Sequence, residues 1–411
     1  MTMHYDQRES RTNDERAASL TTDVLAHIVH ANTHSPAYAE ILGDVDIGDL
    51  ATLEDIAALP LTRKSELIER QGQAPPFGGL AALTGEPLTQ IFASPGPIFE
   101  PQTARVDYWR TARALFAAGI RSGSLVHNGF SYHLTPAGSM LENGCHALGA
   151  AVVPGGVGNT EQQLETIGLL KPDAYCGTPS FLGILLDRAD EAGLDVSSID
   201  KALVSGEAYL PNLRQKFANR GITGLQCYAT ADVGLIAYES SAESGMIVDE
   251  DVYLEIVRPG TGEPLPDGEV GEVVVTPLNP DYPLIRFATG DLSVILSGTS
   301  PCGRTNRRIK GWMGRADQTV KVRGMFVHPS QVNSVVRRHS EIRHARLVVE
   351  RLDQADAMTL YCECEHRAEG LADAIAGTIR ELCKLRGGVE LVEPGTLPND
   401  GIVIEDKRSY D

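Results

Sequence analysis

The chain has 411 residues, 42% hydrophobic and 22% charged, which at roughly 150 residues per domain suggests about two or three domains and a core that needs no staples or metal. Its 36 Lys and Arg against 55 Asp and Glu give a net charge of −19, a field that disfavours bulk nucleic acid and anionic membrane. Seven scattered cysteines make no disulfide framework, the polar start Met1–Ser19 has no signal-peptide core, and no run of about 18 apolar residues occurs, so the expectation is a reduced cytoplasmic protein without a membrane span.

Residues 1–18 read as frayed. From Thr21 a helical spacing runs through Leu25, Ile28 and Val29, and it resumes with Tyr38, Ile41 and Leu42 after Ser35-Pro36. Asp55–Glu69 reads as helix–turn–helix, with Thr62 capping the helix that carries Leu67 and Ile68. Helices then follow over Tyr108–Ala118, Ser139–Leu148, Pro179–Ala192 and Leu210–Asn219. Between them lie strands over Ser124–Asn128, Ala150–Pro154, Ala174–Cys176, Lys201–Ser205 and Gly224–Cys227. Thr160 and Gln163 form a capping-box pattern after the loop Gly155–Asn159. Strands spaced by helices imply an α/β fold with parallel sheet.

After Ala237 the character shifts to strands at Val252–Val257, Gly271–Thr276 and Leu292–Leu296, a barrel-like region. Beyond Gly314 comes helix Pro329–His339, strands Ala345–Glu350 and Thr359–Glu365, helix Leu371–Leu385 and strand Val389–Val392. That order predicts a small α+β unit with a split βαβ arrangement. The expected division is a large N-terminal domain, 1–316, and a C-terminal domain, 317–411.

Three loops carry chemistry. In Phe287–Leu292 the Asp291 carboxylate follows a Gly290 turn between strands, which suits two sugar hydroxyls, although alone it is an ordinary turn Asp. In Gln226–Val233 a strand ends in an aromatic and then an acid. Tyr228 can stack on a base there, and Asp232 can hold a cation or a phosphate-bound Mg. Ser205–Ala208 closes the preceding strand, and loops at the carboxyl ends of parallel strands are where ligands bind. Downstream lies Gly314–Gly324.

These loops in this order resemble the adenylate-forming superfamily of acyl-CoA synthetases, closest to its phenylacetate–CoA ligase-like branch. The resemblance covers nearly the whole chain and includes Leu59–Leu67 ("LPLTRKSEL"), Pro154–Glu165, Phe287–Leu292, Gly314–Val332 and Pro394–Arg408. It implies ATP or AMP with Mg, and coenzyme A, acting on a small carboxylic acid or acyl-CoA. It implies that Asp291 and Arg315 bind ribose, that Tyr228 stacks on adenine beside Ala229 and Thr230, and that Gly206 and Glu207 line the adenine pocket. Asp232 stands where the family usually has Glu toward Mg. Asp317 would be the hinge of a swivelling C-terminal lid, and Arg323 and Gly324 would lie where pantetheine passes. Phe130, Tyr132, His133, Pro136 and Gly138 resemble an acyl-pocket wall suited to an aryl or short acyl group, with His133 as a candidate catalytic side chain.

The chain departs from the family where ATP chemistry occurs. The phosphate loop is represented by Ser94-Pro95-Gly96-Pro97-Ile98-Phe99-Glu100-Pro101, in which only Ser94 and Gly96 keep the expected character. Prolines remove backbone donors, and Glu100 replaces a basic residue. Ile402 falls where a catalytic Lys is expected, and Lys407 is the remaining candidate. One positioned donor to developing charge is worth roughly 3 kcal/mol, or about 10²–10³ in rate. The departures therefore open an alternative, acyl transfer from acyl-CoA to a carrier-protein thiol or other acceptor, and a second, a non-catalytic AMP- or CoA-binding protein. A homodimer is compatible with each. Cys302 alone makes no zinc site, and Cys362 and Cys364 read as packing. The basic cluster Arg304, Arg307, Arg308 and Lys310 reads as a solvated loop or as a hold for CoA phosphates.

Overall fold

The computed structural model describes residues 3–94, 98–240, 245–323, 325–352, 355–398 and 402–408, except the side chains of Asp317, Lys321, Phe326, Leu352 and Ala355. The chain forms two compact units: Met1–Arg258 with Gly262–Thr289 and Val294–Trp312, and Pro259–Thr261 with Gly290–Ser293 and Met313–Asp411.

In the first unit a nine-stranded sheet is the frame. Its parallel half runs, by position in the sheet, through strands Ala151–Pro154, Leu125–Asn128, Ala174–Gly177, Lys201–Val204 and Thr223–Thr230. Each parallel neighbour is reached through a helix, and strand Ala174–Gly177 is buried along its whole length, as a strand covered on both faces must be. Thr178 caps the helix Pro179–Ala192 by accepting a hydrogen bond from the Phe181 amide, with Pro179 in the first turn. Strand Gly234–Tyr238 turns the sheet antiparallel, followed by Met246–Val248, Arg308–Ile309 and Ile295–Leu296.

A four-stranded sheet, ordered Thr62–Arg63, Phe287–Ser293, Gly271–Pro277, Val252–Val257, stands beside it. Thr62 is thus in a strand, paired with Phe287, and does not cap a helix; its hydroxyl bonds to Tyr38 and to the Ile285 carbonyl. The expected capping box at Thr160 and Gln163 is also absent. Gln163 instead bonds to His127 Nε2 at 2.7 Å and donates to the Gly156 and Gly158 carbonyls. Those bonds to the preceding loop compete with a cap.

Residues 1–18 are not frayed where described. The helix Asn13–His34 begins with a capping box at Thr12 and Glu15, and Glu9 is wholly buried against Arg304 at 2.7 Å. No helix among the described residues is long and apolar enough to cross a membrane.

The second unit has its own core around Val332, Val349, Leu360, Ile375 and Ile379. A mixed four-stranded sheet, Gly388–Val392, Ala355–Cys364, Ile342–Leu352, Ile404–Asp406, packs with helices Pro329–Arg338 and Leu371–Cys383. Cys362 and Cys364 lie in this core.

Candidate active site

In the first unit the carboxyl ends of the parallel strands collect most of the expected residues. Gly206, with φ +83°, and the exposed Glu207 follow strand Lys201–Val204. The Glu207 carboxylate accepts the Ser180 amide at 2.6 Å, at the start of a helix. Tyr228 is buried in strand Thr223–Thr230, and its hydroxyl donates to Thr289 at 3.3 Å. Ala229 and Thr230 are half-buried at the strand end. Cys227 is buried, and that burial pushes its thiol up to about 12.

The segment expected as an acyl-pocket wall folds back as a loop. Phe130 is buried, and its ring lies 3.8 Å from where a Gly206 Cβ would stand. Tyr132 accepts from Asn128 at 2.8 Å and donates to Glu142 at 2.7 Å, while burial and that carboxylate hold its hydroxyl well above the usual range. Pro136 is buried at the start of helix Ala137–Leu148, and His133 is exposed. A Cβ on Gly138 would sit 2.8 Å from both the Ser131 carbonyl and the Tyr132 ring, so glycine is what lets the loop close.

The segment expected as a phosphate loop is a β-hairpin, Leu88–Ser94 with Ile98–Thr103; Gly96, with Pro95 and Pro97, lies outside the described residues. The Ala93 amide bonds to the Leu134 carbonyl at 2.9 Å. Ser94 turns its hydroxyl onto Glu100 at 2.5 Å. Glu100 is wholly buried, and burial chiefly, opposed by the Ser94 hydrogen bond and reinforced by Asp232, pushes its carboxyl up to about 8. Asp232, 5% exposed, receives Lys64 Nζ on Oδ2 at 2.9 Å. Asp232 Oδ1 and Glu100 Oε2 are buried without a hydrogen-bond partner among the described residues.

Lys64 and its ion pair with Asp232, and the burial of Glu100, were missed in the sequence. Lys64 lies within the Leu59–Leu67 string, and the spacing gives no sign that it reaches a residue 168 positions on.

In the second unit Arg315 binds Asp291, Nη1 to Oδ1 at 3.2 Å, and the two backbones form an isolated bridge. Gly290 and Asp291 lie within strand Phe287–Ser293 rather than after a turn between strands, and the φ of +73° at Gly290 is what requires glycine there. Arg323 is exposed, bonded through its amide and Nε to Asp356. Lys407 is half-exposed, with Glu405 at 3.9 Å. The Asp317 side chain and Gly324 lie outside the described residues. The basic cluster belongs to the first unit and is engaged in structure: Arg304 with Glu9, Arg307 with Asp267, Arg308 with the Ser297 carbonyl.

Residues 110–277 match the AMP-binding enzyme family, and 324–408 match the AMP-binding enzyme C-terminal domain. The chain is 30% identical to a phenylacetate-coenzyme A ligase of Thermus thermophilus over 96% of this chain and 97% of that one. It is 31% identical to a phenylacetate-coenzyme A ligase of Pseudomonas putida over 88% and 85%. The fold matches a 2-hydroxyisobutyryl-CoA ligase solved in an open conformation with 2-HIB-AMP and CoA, with a TM-score of 0.86 at 24% identity, covering 98% of this chain and 95% of that one.

Proposed function

The chain belongs to the AMP-binding enzyme family, in its phenylacetate-coenzyme A ligase branch, and from that premise we propose that it activates a small aryl or acyl carboxylic acid and passes the acyl group to coenzyme A. The carboxylate attacks the α-phosphorus of ATP, pyrophosphate leaves, and the CoA thiolate then displaces AMP. The observation that carries the reading is Asp232: a buried carboxylate at the end of a parallel strand, held by Lys64 and with one oxygen unpartnered. That orphaned oxygen fits a cation, and Mg bound there would screen phosphate charge.

In this reading Tyr228, Ala229, Thr230, Gly206 and Glu207 hold adenine, and Asp291 with Arg315 holds ribose. Phe130, Tyr132, His133, Pro136 and Gly138 face the acyl group, and Arg323 and Gly324 guide CoA. Residues 317–411 act as the lid with Asp317 as hinge, and Lys407 takes the part of the missing lysine. The protein works in the cytoplasm. The test is pyrophosphate–ATP exchange across aryl and short acyl acids: acid-dependent exchange is expected, and its absence with every acid defeats the proposal.

One observation favours a second reading, in which an acyl group moves from acyl-CoA to a carrier-protein thiol or other acceptor. Ser94 spends its hydroxyl on Glu100, so the hairpin supplies less to a triphosphate than a hydroxyl-rich loop does. Acyl transfer from an aroyl-CoA without any exchange would support it. A homodimer is compatible with both.

A further inference from the structure

Resting on the ligase reading, we infer that Asn128 is a positioning residue for the acyl group: its carboxamide pins the loop that carries Phe130 and Tyr132, and so sets how tightly the acid is held. Asn128 ends strand Leu125–Asn128 and is 1% exposed. Its side chain meets the loop at three points. Oδ1 accepts the Phe130 amide at 3.2 Å, and Nδ2 donates to the Tyr132 hydroxyl and to the Gly138 carbonyl, both at 2.8 Å. The two backbone partners fix which way the carboxamide faces, because an N–H only donates and a carbonyl only accepts. Aspartate has no donor for the Gly138 carbonyl, and a single hydroxyl cannot reach all three points, so the position asks for a carboxamide.

Tyr132 is thereby held through its hydroxyl from both sides, accepting from Asn128 and donating to Glu142 at 2.7 Å. Its one proton is spent, and what it offers a ligand is its ring. Between the anchored ends Leu134 adopts φ +65°, a conformation that a residue with a side chain keeps only where its surroundings over-determine it. The Asn128 contacts and the Ala93 amide on the Leu134 carbonyl are those surroundings. A wall set before the acid arrives spares the complex the cost of ordering it. That saving counts most for a rigid ring that lies along the wall and least for a short chain that touches little of it. The nucleotide, held by other strand ends in this reading, gains nothing from Asn128.

The test measures apparent KM and maximal rate in pyrophosphate–ATP exchange by the full chain, with phenylacetate and with butyrate as probes. Asn128→Leu keeps the size of the side chain and removes every hydrogen bond. It is expected to raise KM for phenylacetate about tenfold or more and KM for butyrate less than about threefold, with KM for ATP and the maximal rate within about threefold of wild type. Tyr132→Phe cuts one anchor and keeps the ring, and is expected to raise KM for phenylacetate about threefold. Circular dichroism checks the folding of both variants. A purely structural role would lower the maximal rate with both acids and leave each KM where it was. That result, or an unchanged phenylacetate KM in folded Asn128→Leu, overturns the inference. If Asn128→Leu does not fold, an unchanged phenylacetate KM in Tyr132→Phe overturns it instead. Wild-type exchange with butyrate and not with phenylacetate also overturns it, and leaves the ligase reading standing. No exchange with any acid overturns both.

Discussion

Glu9 carries a carboxylate to a fully buried position and meets Arg304 Nε at 2.7 Å, the Tyr238 hydroxyl at 2.6 Å and the Tyr5 amide at 2.5 Å. Removing one partner of such a pair leaves an uncompensated buried charge, which costs about 3–5 kcal/mol. Glu9→Gln is therefore expected to lower unfolding stability by about 3 kcal/mol in urea titration, and a loss under about 1 kcal/mol would show that the contact is dispensable. His27 gives a pH dependence. Burial first, then His30 and Arg110, holds it neutral, with its value pushed down to about 3, and Nε2 has no partner among the described residues. The unfolded imidazole titrates near 6.5, so between about pH 3 and 6.5 the unfolded chain binds the extra proton and stability falls as pH falls. From pH 7 to 5 this group alone costs about 2 kcal/mol. His27→Leu flattens that part of the stability–pH curve; an unchanged slope would place the acid sensitivity elsewhere.

The hairpin Leu88–Ser94 with Ile98–Thr103 shows how an element remakes the meaning of its residues. Its composition marks a departure from a phosphate loop, but not that Glu100 opposes Phe92 in an antiparallel register that buries the carboxylate. Two-stranded ribbons are marginal alone and expose an edge. Here the Gln71 side chain covers that edge: its amide oxygen accepts the Phe99 N–H and its amide nitrogen donates to the Phe99 carbonyl, both at 2.8 Å. Leaving those backbone groups without partners costs about 1–3 kcal/mol. Gln71→Leu is expected to speed hydrogen exchange of the Phe99 amide by roughly tenfold or more, with no change at the central-sheet amide of Cys176. Equal rates in the two proteins would mean that the hairpin holds its own edge. Strands such as Ala174–Gly177 were legible because burial on both faces makes an apolar run between helices. The hairpin was not, because register and a covering side chain are set by contacts between distant residues.

At the scale of the whole chain the same division holds. The alternation of helix and strand up to Thr230 and the change of character beyond Gly314 are patterns of local period, and they can be read without a partner. Glu9 with Arg304, 295 positions apart, cannot: each resembles a solvated charge until the other is known, which is why residues 1–18 read as frayed. Likewise Asp232 was found from its place after an aromatic at a strand end, whereas Lys64 needed the fold. The apolar residues of the two units fall into separate clusters, one set around Val24, Phe287 and Leu284 and around Leu115, Val126 and Leu235, the other around Val349, Leu360 and Ile375. Each unit buries its own core, and a cooperative transition requires a shared one. Scanning calorimetry is thus expected to show two unfolding transitions, the smaller enthalpy belonging to the unit that contains Met313–Asp411. A single transition whose calorimetric and van't Hoff enthalpies agree would mean that the two cores melt as one.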